Sequence, residues 1–201
     1  MRHGVALFLV LIAACSGEVA YEPRDGDVIF QTSRSAQSLA IQRATQSPYS
    51  HMGIVYLRDG SPLVFEAVQP VKSTPLDEWI ARGEGGRFVV KRLRDADAVL
   101  TPQTLRRMRE VGEALGGRDY DLYFEWSDER QYCSELVWKI FDRGAGVQLG
   151  ELQTLADFDL SDPAVQAKIR ERFANGAPLA ETVISPAAIF AAPNLTTVYE
   201  R

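Results

Sequence analysis

Short apolar runs bounded by turn residues come early in this chain, and stretches with helical spacing are interspersed among them. Gly26-Asp27 turns into the apolar run Val28-Ile29-Phe30, which predicts a strand. Leu39, Ile41 and Ala44 place a helix over residues 36–45, broken at Ser47-Pro48. Residues 51–57 and 63–68 read as two strands joined by the two-residue hairpin turn Asp59-Gly60, with Pro62 tolerated at the entry of the second. Residues 75–82 predict a short helix with Leu76, Trp79 and Ile80 on one side, and residues 87–93 predict another strand. Thr101-Pro102 supplies an N-cap and first-turn proline for a helix to about Leu115, which Gly116-Gly117 ends. A polar, aromatic stretch then leads into a helix from Cys133 to about Asp142, stopped at Gly144. Residues 163–174 form a more polar helix, and scattered apolar residues over 184–199 predict one last strand. Early strands with interspersed helices predict an α+β fold.

The N-terminus adds an address. Arg2 and His3 precede the apolar run 5–12, which is far shorter than the ~20 residues a membrane span needs. Ile12-Ala13-Ala14-Cys15 resembles a bacterial lipobox. The expected organisation is a signal peptide over 1–15 with lipidated Cys15, a tether over 16–24, and one domain over 25–201. Ser16 rather than Asp after the cysteine favours, by resemblance to Gram-negative lipoproteins, the outer membrane facing the periplasm. The lipid would be the contact with the membrane. Loss of Arg2 with the leader takes the formal charge from −5 to −6, which excludes nucleic acid as a natural partner.

The same division narrows the chemistry. The chain holds two histidines and two cysteines, so a lipidated mature protein keeps His51 and Cys133 as its free pair. There is no CxxC and no His/Cys cluster, so neither a metal site nor a cofactor is expected. Cys133, Leu136, Val137, Ile140 and Phe141 follow helical spacing, with the cysteine in the first turn. Unpaired amides and the positive dipole end at that position favour a thiolate and can receive negative charge on a substrate carbonyl. Counting back from the Asp59-Gly60 turn places Gly53 opposite Glu66, so His51 and Glu66 share one face as diagonal neighbours. A nucleophile, a base and an orienting carboxylate are therefore available. A salt bridge to an arginine would also account for a lone Glu66 in an apolar strand. Tyr132 could reach substrate or oxyanion, or simply pack.

Gly26-Asp27-Val28-Ile29-Phe30, Ser50-His51-Met52-Gly53-Ile54-Val55, Val64-Phe65-Glu66-Ala67, Tyr120-Asp121 and Tyr132-Cys133-Ser134-Glu135-Leu136-Val137 together resemble the permuted papain-like cysteine hydrolases of the YiiX and YaeF group, a branch of the NlpC-type superfamily. In this branch His precedes Cys, as it does here. The resemblance implies a small antiparallel sheet or half-barrel packed against the nucleophile helix. It also implies His51 as base, Glu66 as its orienter and Cys133 as nucleophile. The implied activity is cell-envelope amide or peptide hydrolysis through an acyl-enzyme. The alternatives are a lipid acyltransferase or phospholipase of the same superfamily, marked by an apolar groove beside Cys133, and a non-catalytic binding lipoprotein. Residues 147–175 match no part of that pattern and are expected to shape substrate access.

Overall fold

A computed structural model describes residues 20–201. In chain order the strands and helices are β1 (Asp27–Gln31), α1 (Ser38–Thr45), β2 (His51–Arg58), β3 (Ser61–Glu66), β4 (Lys72–Pro75), α2 (Leu76–Ala81), β5 (Val89–Leu93), α3 (Ala96–Val99), α4 (Pro102–Leu115), β6 (Asp119–Tyr120), β7 (Arg130–Gln131), α5 (Cys133–Ile140), β8 (Gln153–Thr154), α6 (Pro163–Arg172), β9 (Thr182–Val183), α7 (Pro186–Phe190) and β10 (Leu195–Glu200). Six strands form one sheet in the order β10-β5-β1-β2-β3-β4, antiparallel at every pairing. The architecture is the α+β one expected.

Alternation along the central strands divides the interior. Val28, Phe30, Met52 and Ile54 face a larger cluster with Leu136, Val137 and Ile140 of α5 and Met108 of α4. Ile29, Val55, Val64 and Val90 face a smaller cluster under Leu76 and Trp79 of α2. The apolar stripe predicted from Cys133 to Phe141 lies in the larger cluster. Burial of this stripe against β2, rather than intrinsic propensity, is what holds so short a helix. The hairpin register is the one counted from the turn: Arg58 pairs with Ser61, Tyr56 with Leu63 and Val55 with Val64. Asp59 and Gly60 both take positive φ (51° and 78°), the conformation a two-residue hairpin turn demands.

Several elements differ from expectation. Residues 184–199 are not one strand. Ser185 caps a helix by accepting from Ala188 N (3.1 Å), with Pro186 in its first turn, and only residues after Pro193 add β10 to the sheet. Strand β4 is polar and sits at the sheet edge, so hydrophobic patterning could not reveal it. Of the expected tether, residues 20–24 are described, and from Tyr21 onward the chain is docked. The Tyr21 ring packs on Phe88 and Tyr199, and its hydroxyl donates to Asp27 (2.8 Å). Asp27, which reads in sequence as a turn residue, is a fully buried carboxylate held by the Arg92 guanidinium through Nε (2.6 Å) and Nη2 (2.8 Å). The expected leader, Cys15 and residues 16–19 lie outside the described residues.

Helix α5 ends in a π-turn over Phe141–Ala145. Gly144 in that turn is pressed on α4: a Cβ there would lie 2.6 Å from Met108 Cα and 2.9 Å from its nitrogen. Backbone cannot yield as a side chain can. Gly144→Ala is therefore expected to destabilise the protein by ~1–3 kcal/mol, read as a lower urea midpoint at unchanged slope.

Candidate active site

Strand β2 begins at His51, where the chain leaves the turn after α1. A first-strand residue can reach round the end of the sheet. The His51 ring stacks on Trp79 of the smaller cluster (centroids 6.0 Å apart, planes at 26°) while also meeting Cys133 of the larger one. Glu66 ends β3 on the same side. Its Oε2 lies 2.6 Å from His51 Nε2. Gly53 makes this approach possible, because a Cβ there would come within 2.5 Å of Val64 Cγ1 and 2.8 Å of Phe65 O. With Nε2 engaged by the carboxylate, Nδ1 is the ring nitrogen left for sulfur.

Glu66 has no solvent exposure and is saturated with donors. Thr74 Oγ1 donates to Oε1 (2.6 Å), and Arg82 Nη2 donates to the same oxygen. Burial alone would raise the Glu66 pKa, but His51, Thr74 and Arg82 together hold it below the usual carboxylate range. Burial would likewise lower the His51 pKa. Hydrogen bonding and charge from Cys133 and Glu66 outweigh it and lift the imidazole to about 9. Both shifts favour an imidazolium beside the Glu66 carboxylate. Protonated His51 therefore stabilises the fold fully below its ordinary value of 6.5, and that contribution is lost as pH rises through about 9. The Glu66 contribution is present above 4.5 and lost on acidification.

Cys133 is buried and opens α5. The N-terminal turn is fixed by Glu135, whose Oε2 accepts from Tyr132 N (3.3 Å) and whose Oε1 accepts from Lys139 Nζ (2.7 Å). Burial nonetheless pushes Glu135 up to about 7, against the pull of Lys139. Its role in the turn is the structural one the dipole predicts. Tyr132 lies at the N-cap with its hydroxyl accepting from Ile184 N (3.2 Å) and its ring edge-on to Phe124 (5.2 Å). That hydroxyl is committed to main chain; the residue lines a cavity beside the thiol.

Tyr120 has a more pointed position. The parallel pair β6–β7 ties it to Gln131, two residues before Cys133, and Asp121 locks the loop by accepting from Tyr123 N (2.8 Å) and Glu125 N (2.6 Å). Gln37 Nε2 donates to the Tyr120 hydroxyl (2.7 Å), which leaves the phenolic proton to donate. Burial raises the Tyr120 pKa well above its ordinary value, and the nearby Cys133 sulfur adds to that. In the sequence, Tyr120-Asp121 stands out only as one of the segments that carry the family resemblance. Thr74 and Arg82 were missed, although the unbalanced Glu66 in an apolar strand called for such partners.

Two cavities meet at this site. One, of about 120 Å³, is almost wholly apolar and runs from Cys133 between α1 and α6, walled by Ile41, Phe124, Leu160, Ile169 and Phe173. The other is an open cleft of about 880 Å³, lined by several charged side chains, reaching His51, Arg82 and Tyr120. Part of the segment 147–175 therefore walls the site, through Leu155, Phe158 and α6.

Residues 22–199 match the family described as "Permuted papain-like amidase enzyme, YaeF/YiiX, C92 family", so the segment 147–175, which fits none of the short motifs, lies within the family match. The chain is 51% identical over 198 residues to the uncharacterized protein YiiX of Escherichia coli K12, covering 98% of this chain and 96% of that one. It is also similar to a crystal structure of YiiX from Escherichia coli O157:H7, described as a metalloprotein, with TM-score 0.86 and 50% identity over 90% of this chain and 99% of the other.

Proposed function

Because the chain belongs to the permuted papain-like amidase family of YaeF and YiiX, we propose that it is a thiol hydrolase whose working residues are Cys133, His51 and Glu66. The observation that carries this reading is the His51–Glu66 contact at 2.6 Å, with Cys133 in hydrogen-bonding reach of the same ring. His51 takes the thiol proton on Nδ1, and the sulfur attacks an acyl carbonyl. His51 then returns the proton to the leaving group, and water activated by the same imidazole clears the thioester. Glu66 keeps Nε2 protonated and steadies the imidazolium. The α5 amides and the Tyr120 hydroxyl, whose proton Gln37 leaves free to donate, are the donors that would receive the developing oxyanion.

Amides or peptides of the cell envelope are the first substrate class. The apolar cavity beside Cys133 favours a second reading, in which the acyl half is a fatty chain and the protein acts as a phospholipase or acyltransferase. A lipid on Cys15 would place the site at the outer membrane, facing the periplasm. YiiX is described as a metalloprotein, but the donors here do not make a resident site. Among the described residues no three His, Cys, Asp or Glu side chains converge to hold a metal ion, and Glu66 is taken up by Thr74, Arg82 and His51. No step above passes through one. Mass spectrometry of Cys133 after acid quench with envelope extract tests the proposal. A fatty acyl adduct supports the lipid reading and an aminoacyl adduct the amide one. Absence of any adduct, with no turnover, contradicts both and favours a binding lipoprotein.

A further inference from the structure

The hydrolase reading fixes where each half of a substrate lies. The acyl half stays on sulfur, whereas the leaving group must touch the acid that protonates it. Cys133 lines the apolar cavity and His51 lines the open cleft. The leaving group therefore occupies the cleft. The cleft is lined by Arg34, Arg82, Lys168 and Arg172, with Glu171 as its acidic residue, in a chain of net charge −5. Two of these cations are neutralised: Arg82 by Glu66, and Lys168 by Glu171 at 2.6 Å. Among the described residues, Arg34 and Arg172 bond only neutral oxygens. Arg34 donates to the carbonyls of Ala81 and Arg82. Arg172 donates from Nη1 to Leu122 O (2.9 Å) and from Nη2 to Gln37 Oε1 (2.8 Å), while its buried Nε has no partner among the described residues. Such bonds satisfy donors without balancing charge, so both guanidiniums favour an anion within reach.

We propose that the cleft selects substrates whose leaving group carries an anion, a carboxylate or a phosphate-type group, bound by Arg34 and Arg172. This rests on the hydrolase reading above. The bond broken joins the acyl carbon to the leaving nitrogen or oxygen. The His51 proton goes to that atom, and the distal anion stays charged throughout.

The test is a series of dodecanoyl amides sharing one acyl chain, with glycine, aminomethylphosphonate or glycinamide as leaving group. Wild-type kcat/KM is expected to favour the anionic leaving groups over glycinamide by ~10-fold or more, the span of charge-assisted hydrogen bonding. The faster of glycine and aminomethylphosphonate identifies the anion. Arg34→Gln with Arg172→Gln should bring the ratio toward one, and Arg34→Lys with Arg172→Lys should keep part of it. Equal wild-type kcat/KM for glycine and glycinamide amides overturns this inference and leaves the hydrolase intact. No turnover of any amide, with no acyl adduct on Cys133, overturns the hydrolase reading and this inference with it.

Discussion

Cys133→Ser is expected to abolish turnover, by at least ~10³-fold in kcat, while the protein still folds. Serine is slightly smaller than cysteine and suits the first turn of a helix, so α5 and the cluster beneath it should persist. The chemistry does not survive. A hydroxyl holds its proton far more tightly than a thiol, and a neighbouring imidazole poised for sulfur is not poised for oxygen. The substitution also removes one of the two groups that hold the His51 pKa near 9. The variant should thus show a smaller decline in thermal stability than the one expected of the wild type as pH rises from 6.5 to 9, because Glu66 alone still raises the imidazole, and paired melting curves across that range check it.

Glu66→Gln should cost ~10³-fold in kcat, through a proton rather than through shape. Oε1 of Glu66 accepts from Thr74 and Arg82, so in the variant the amide oxygen must stay on that side. The amide nitrogen then faces His51 Nε2. Being a donor, it forces that ring nitrogen to accept, and the ring proton moves to Nδ1, where the thiol proton has to go. In the wild type, kcat/KM should fall above about pH 9, where the imidazolium loses its proton. In Glu66→Gln that limb should move to lower pH, because an anion favouring the charged ring is gone. Glu66→Asp, which keeps the charge, should retain more activity than Glu66→Gln. Equal activity in the two would place the effect of Glu66 in packing alone.

The pair His51–Glu66 was legible in the sequence because a two-residue turn leaves one register, and strand alternation does the rest. Cys133 was legible because helical spacing puts it at the start of a buried stripe. Other parts were not. Arg82 lies on no strand and reaches Glu66 from beyond α2, a contact that exists only once the sheet edge has formed. Strand β4 carries no hydrophobic signal, so Thr74 was invisible as a partner. The apolar cavity depends on α6, whose mixed polarity gives little periodicity, packing on α1 more than a hundred residues earlier. Patterning reports which face of an element is buried. It does not report which distant element buries it, and substrate access is settled at that second level.

The central claim is that His51 activates Cys133, and the rate of Cys133 alkylation by iodoacetamide at pH 6 measures it most directly. Intact-mass spectrometry of the wild type should show rapid, single modification, and His51→Ala should slow it by ~10-fold or more. Equal, slow alkylation of both proteins would contradict an activated pair and leave the thiol as a buried apolar side chain.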